Sequence, residues 1–212
     1  MKKSVENSVL LKGRQVYVIP NGLDINLYYP IAKTLARKVL NIPLDKKVIL
    51  FGAINAFDPR KGFSYLLRAL HLLSEKYKDE YCLVVFGAKT QLLELSIFTK
   101  FLGYIREQHI LQLAYSAADV MVVPSLEEAF GQTVIEAMAC ATPVVSFLQT
   151  GPESIIEHKK TGYLARIADE KDLAKGIEWI LSSAELIDEL SINARNRVET
   201  SYDIKIVAKQ YK

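Results

Sequence analysis

Short, uninterrupted apolar runs alternate with amphipathic stretches along this chain. Val16–Ile19, Val48–Phe51, Cys82–Phe86, Val120–Val123 and Val144–Phe147 are apolar at successive positions and rich in β-branched residues. A strand open to water on one face alternates apolar with polar residues, so these runs predict strands covered on both faces, as in parallel sheets. Between them, Gly62–Lys76 spaces Phe63, Leu66, Leu67, Leu70 and Leu73 as one apolar stripe, with Arg68, Glu75 and Lys76 outward, which predicts a helix. Ile110–Ala117 and Gln132–Cys140 repeat the pattern in shorter form, and Ile97–Leu102 reads as a weaker strand ahead of Gly103. Strand and helix in regular succession imply right-handed crossovers and a doubly wound parallel sheet of the α/β class, with its core from about Lys47 to Ala165. Helical stretches follow at Asp169–Leu181, Ala184–Thr200 and Tyr202–Lys212, with no strand expected after them. No internal repeat and no Gly/Ser/Pro linker divides the chain, so residues 1–212 read as a single domain with helical additions at both ends.

Composition narrows the function classes without choosing among them. The 212 residues are 50% hydrophobic and 24% charged, which suits a chain with a proper core and excludes disorder and low complexity. A net charge of +3 is too weak to point to a nucleic-acid partner. No apolar run approaches the ~18 residues of a membrane span, and Met1–Gly13 has lysines but no apolar h-region, so it does not read as a signal peptide. Cys82 and Cys140 lie far apart in segments expected to be buried, as free thiols in a reducing compartment, so a cytoplasmic location is expected. They exclude a Cys-based zinc site, and His71, His109 and His158 are scattered, so no metal site is expected. None of the ten glycines has another two positions away, so G-x-G-x-x-G is missing, and so is the P-loop pattern.

In a doubly wound sheet, ligands sit beyond the carboxyl ends of the strands. The turns to search therefore follow Phe51, Phe86, Val123 and Phe147. The turn after Val123 runs Pro124-Ser125-Leu126-Glu127-Glu128-Ala129-Phe130-Gly131 into a helix carrying Glu136. Backbone N–H groups at that helix start, with the dipole behind them, form a ready anion site, and Gly131 lets a ligand approach the main chain. Glu136, about a turn and a half in, could accept hydrogen bonds from a diol such as a ribose, and Glu128 from hydroxyls beyond the phosphates. The plain structural alternative is that acids near a helix start answer its dipole and that Glu136 is simply solvated. The turn after Phe51 adds Arg60 and Lys61 just ahead of a helix, placed for a phosphate or pyrophosphate, or else as a solvated pair of loop charges.

Taken together these residues resemble the nucleotide-binding half of glycosyltransferase family 4, enzymes of the GT-B fold. Val18-Ile19-Pro20-Asn21-Gly22-Leu23-Asp24 is similar to the motif that opens the family's C-terminal domain, and Lys61-Gly62 with Leu66, Leu67 and Ala69 to its phosphate-lysine helix. Ala118-Asp119-Val120, Pro124-Ser125, Glu136-Ala137-Met138-Ala139-Cys140 and Pro143-Val144-Val145 resemble its central signature, and His158 through Thr161-Gly162-Tyr163-Leu164-Ala165 a later segment. The resemblance covers nearly the whole chain and implies a Rossmann-like sheet forming one half of a GT-B fold, with extra C-terminal helices. The family's paired glutamates are separated by seven residues, a spacing that Glu128 and Glu136 meet and Glu127 does not. By resemblance Glu128 would touch the donor sugar, Glu136 the ribose and Lys61 the pyrophosphate, making Lys61 and Glu128 the catalytic candidates. Phe130, Gly131 and Gln132 would line the sugar and phosphate site through their main chain, and Tyr104 and Ile105 would meet the base.

Two positions depart from the pattern. The family's phosphate arginine after the first-strand glycine is Ala53 here, with Arg60 as a conceivable substitute. The glycine after the Ala-Cys pair is Ala141. At a position requiring positive φ, alanine carries a strain of roughly 1 kcal/mol or more, and elsewhere the change is harmless. The resemblance implies transfer of a sugar from a nucleotide-sugar to an acceptor hydroxyl with retention, in polysaccharide or glycolipid synthesis, with no cofactor and no metal. The expected partners are the nucleotide-sugar and an N-terminal acceptor domain that this chain lacks, without which it would be inactive; peripheral membrane association of the whole enzyme is compatible with this. Two rivals stay open: an epimerase of the same fold, which would turn over a nucleotide-sugar without acceptor, and a non-catalytic interaction module, which would pair with a partner without nucleotide affinity.

Overall fold

The computed structural model describes residues 8, 10, 13–55, 57–87 and 97–211. The signal-peptide expectation for Met1–Gly13 falls mostly outside these residues, as does Lys212. Six strands, β1 (Lys47–Gly52), β2 (Tyr81–Phe86), β3 (Phe98–Gly103), β4 (Val120–Val123), β5 (Val144–Phe147) and β6 (Gly162–Ala165), form one sheet in the order β3-β2-β1-β4-β5-β6. All neighbours run parallel. The helices are α1 (Lys33–Val39), α2 (Phe63–Tyr77), α3 (Gln108–Ala117), α4 (Gln132–Ala139), α5 (Glu170–Ile180), α6 (Ala184–Ser201) and α7 (Ile204–Val207).

The unbroken apolar runs have the cause the sequence implies. On β1, Val48 and Leu50 enter one core with residues of α3, α4 and α6, while Ile49 and Phe51 enter the other with residues of α2 and α5. Successive side chains point to opposite faces, so a strand covered twice must be apolar at every position. Cys82 and Cys140 are free and buried, and burial pushes their thiols up to about 11 and about 12.

The structure corrects the sequence reading in three places. Val16–Ile19 is not a strand: it has no ladder partner among the described residues, and Tyr17 and Val18 are 74% and 64% exposed. β-Propensity expresses a fit to a half-buried surface, and no strand edge among the described residues pairs with this run. Conversely, Gly162–Ala165 is a strand the apolar pattern leaves unmarked; Gly162 approaches β5 so closely that a Cβ would stand 2.1 Å from the Val144 carbonyl oxygen. The stretch expected from Tyr202 is helical only over Ile204–Val207, followed by a 3-10 turn at Ala208–Tyr211. α1 carries no apolar stripe; charge holds it instead. Asp119, at the foot of β4, accepts from Lys33 Nζ at 2.7 Å, Arg37 Nη2 at 2.7 Å and the Val48 N–H at 2.6 Å.

Ala141 has a φ of +58°, so the strained alternative applies. It occupies the left-handed position after α4: its N–H donates to Met138 O at 3.0 Å and that of Thr142 to Ala137 O at 2.9 Å, closing the helix in the manner usually given to glycine. Ala141→Gly is expected to stabilise the chain by about 1 kcal/mol, raising the melting midpoint by roughly 2–4 °C. An unchanged or lower midpoint in thermal denaturation would mean that the turn carries no such strain.

Candidate functional site

The strand order reverses direction between β1 and β4, and the loops leaving these two strands diverge, opening a crevice beyond their carboxyl ends. The cleft there has a volume of about 360 Å³; Gly52 and Ala53 line it from one loop, Ser125 and Glu128 from the other, and Lys61 and Gln132 at the starts of α2 and α4. Two helix N-termini thus open on one small space, giving it a positive field before any side chain is counted.

Each loop is held by contacts that its sequence makes possible. Asp58 caps the 3-10 turn Pro59–Lys61 by accepting from the Arg60 N–H at 2.9 Å. Gly62, at φ +69°, passes so close to the second loop that a Cβ would stand 1.8 Å from the Pro124 carbonyl oxygen. The Leu126 N–H donates to Arg60 O and the Gly151 N–H to Glu128 O, both at 2.8 Å, so three loops are tied together through their main chains. The result brings Lys61 Nζ to 2.8 Å from Glu128 Oε2, with both groups partly buried. Glu127, its neighbour, is exposed.

Glu136 lies one turn beyond Gln132 on α4. Its Oε2 accepts from the Tyr115 hydroxyl at 2.7 Å. Burial raises its carboxyl above the ordinary value, against the hydrogen bonds from Tyr115 and Gln132. Gly131 takes φ +108° ahead of α4, and Phe130 lines an adjoining cavity of about 830 Å³ together with Val18, Pro20, Gly151 and Tyr202. Glu128 borders both cavities, so it stands where the two meet.

Glu136 and Gly131 do not line the Lys61–Glu128 cleft, and Arg60, Tyr104 and Ile105 lie outside it. The Arg60 guanidinium pairs with Asp58 at 2.7 Å and is 68% exposed. Its hydrogen bonds hold the Asp58 carboxyl below the usual carboxylate range. Tyr104, 58% exposed, and the partly buried Ile105 follow β3, two strand spacings or about 10 Å along the same carboxyl edge from β1. Tyr115 was not among the sequence candidates: it fits the apolar stripe of α3, and no local pattern signals that its hydroxyl meets a carboxylate on another helix. Among the described residues no three of His, Cys, Asp or Glu stand together as a metal site, and no helix is long and apolar enough to cross a membrane.

The family model described as glycosyl transferases group 1 matches residues 32–197. An uncharacterized glycosyltransferase of Methanocaldococcus jannaschii is 31% identical over 208 residues, which cover 92% of this chain and 52% of that protein. Sucrose-phosphate synthase from Thermosynechococcus elongatus superposes with a TM-score of 0.83 at 29% identity, over 99% of this chain and 54% of the other. The Anabaena protein HepE in complex with UDP-glucose superposes with a TM-score of 0.79 at 23% identity, over 95% of this chain and 58% of the other, a likeness of fold. The chain thus spans about half the length of these three proteins.

Proposed function

The chain belongs to the glycosyl transferases group 1 family, and from that premise we propose that it is the donor-binding part of a retaining glycosyltransferase, taking a nucleoside-diphosphate sugar into the crevice between β1 and β4. The observation that carries this reading is the meeting of Lys61 and Glu128 at 2.8 Å over that crevice, between two helix N-termini. The UDP-glucose held by the fold relative HepE supports the same donor class.

Each group has a role set by its chemistry. As the bond between the anomeric carbon and the diphosphate oxygen breaks, its electron pair goes to the leaving diphosphate. The Lys61 ammonium and the N–H groups at the starts of α2 and α4 stabilise that growing charge, which is where fixed electrostatics lowers a barrier most. The acceptor oxygen forms the new bond on the face that the leaving group vacates and gives up its proton to the departing diphosphate oxygen. Glu128, at the junction of the two cavities, accepts hydrogen bonds from the sugar hydroxyls, and Glu136 accepts those of the ribose diol. On this reading an acceptor-binding domain faces the open side of the crevice, and this chain alone binds donor without transferring it. A reducing setting such as the cytoplasm agrees with its free cysteines.

Titration calorimetry against UDP-, GDP- and ADP-sugars tests the proposal: one of them is expected to bind, and silence from all three at millimolar concentration would sink it. Glu136→Gln sharpens the test. Loss of charge-assisted hydrogen bonds is expected to weaken donor binding about 10- to 100-fold. Because burial raises the carboxyl in the folded state, stability associated with this group is full below its unfolded pKa and declines as pH rises through the folded value. Ionised Glu136 therefore opposes folding at neutral pH, and the melting midpoint of Glu136→Gln should hold or rise. A fall in midpoint with affinity unchanged would mark Glu136 as a structural residue.

A further inference from the structure

We infer that Tyr115 is a positioning residue of this site: its hydroxyl holds one oxygen of the Glu136 carboxylate and, together with Gln132, orients the group for a ligand diol. This rests on the reading of Glu136 as the ribose-binding group.

The geometry of Tyr115 leaves its hydroxyl little choice. The side chain is fully buried, and the hydroxyl donates to Glu136 Oε2 at 2.7 Å. The Phe86 ring meets the Tyr115 ring edge-on at 5.9 Å, and that of Tyr28 lies tilted at 6.3 Å. Its own carbonyl accepts from Thr142 Oγ1 at 2.7 Å, fixing the end of α3 against the turn that closes α4. Phe86 is held in turn by Gly52, where a Cβ would stand 2.2 Å from the Phe86 ring. A run of contacts thus leads from the end of β1 through β2 and α3 to the carboxylate on α4.

The surroundings of Glu136 make this contact matter. Tyr115 faces it from α3 and Tyr28 from the segment ahead of α1, while Gln132 and Cys140 flank it along its own chain segment. Among the described residues, no cation contributes to the Glu136 carboxyl; the nearby Arg195 acts on Cys140 at the far end of α4. Hydrogen bonds from Tyr115 and Gln132 are therefore what keep this carboxyl from rising further under burial. Burial also raises the Tyr115 phenol well above its ordinary value, so it remains a neutral donor.

The test is Tyr115→Phe, which removes one oxygen and keeps the ring. In the free protein, the Glu136 side-chain carboxyl, followed by carbon-13 NMR, is expected to titrate about one unit higher than in the wild type, the equivalent of a tenfold change. The pH at which donor affinity is half-developed should move up with it. In a Glu136→Gln background the same substitution should cost no further affinity, because its effect passes through the carboxylate. A loss of equal size in both backgrounds would make Tyr115 merely structural and overturn the inference, as would an unmoved titration. If the wild type binds none of the nucleotide-sugars, the donor reading fails and takes the positioning role with it. If the wild type binds and the half-point stays in place, the inference alone fails. Should Tyr115→Phe not fold, the wild-type hydroxyl proton serves instead: its resonance is expected to move with the Glu136 titration, and one that ignores it overturns the proposal.

Discussion

Replacing Asp119 by alanine is expected to lower the stability of this chain by about 3–5 kcal/mol, the usual cost of removing one partner from a buried ion pair. At this chain length that corresponds to a fall of roughly 6–20 °C in the melting midpoint. The cost arises because Arg37 is as buried as Asp119, both side chains being 7% exposed, and its guanidinium would be left without a counter-charge. The Val48 N–H would lose its acceptor as well. Burial pushes the Asp119 carboxyl up, but Lys33, Arg37 and the Val48 N–H outweigh it and hold the group below the ordinary carboxylate range. Stability from such a depressed carboxylate is complete above its unfolded pKa and is lost as pH falls through the folded value. The difference between wild type and variant should therefore shrink below about pH 4. Asp119 stands at the foot of β4 and the crevice at its carboxyl end, some four residues or about 13 Å apart. Donor affinity measured well below the melting transition should accordingly be unchanged. A midpoint that moves by less than a degree or two would show that α1 is not anchored by this cluster.

Lys61→Ala is expected to do the reverse, weakening the binding of a nucleoside diphosphate or its sugar about 10- to 100-fold while leaving the fold intact. A hydrogen bond to a charged group contributes about 1.5–3 kcal/mol, and each 1.4 kcal/mol is a factor of ten in affinity. The Lys61–Glu128 pair is partly open to solvent, with side chains 33% and 19% exposed, so its loss should cost little stability. Calorimetry with matched mono- and diphosphates separates the phosphate role from a general loss. The wild type should prefer the diphosphate and the variant should lose that preference. Equal weakening for both ligands, or none, would remove Lys61 from the pyrophosphate site.

Much of this architecture is legible in the chain because its physical causes are local. The strands Val48–Phe51 and Cys82–Phe86 announce themselves since both of their faces are covered, and Gly62–Lys76 does so because one helical face is. Glu128 is preferred to Glu127 only through the resemblance, by the spacing of the family's paired glutamates; in the structure Glu128 lies beside Lys61. What the pattern hides depends on distant partners. Val16–Ile19 has strand composition but no strand edge to pair with among the described residues, while Gly162–Ala165 has weak composition but an available edge on β5. α1 presents Leu35 and Val39 to solvent, each 53% exposed, and is held by charges on a residue eighty or more positions away, so no apolar period marks it. The contact between Tyr115 and Glu136 joins two helices whose apolar stripes are each complete without it.

The pairing of Lys61 with Glu128 has a consequence for selectivity. The cation and the carboxylate are paired with each other, with Asp58 close enough to Lys61 to feel its charge, and a ligand must make good what both partners give up. A bare phosphate satisfies the lysine but strands an anion beside the carboxylate. A free sugar satisfies the carboxylate but offers the lysine nothing of opposite charge. Only a molecule bringing negative charge and hydroxyl donors on one frame, a few ångströms apart, compensates both at once. If the crevice takes a nucleotide-sugar as proposed, the joined molecule should bind more tightly than the nucleoside diphosphate or the free sugar taken singly.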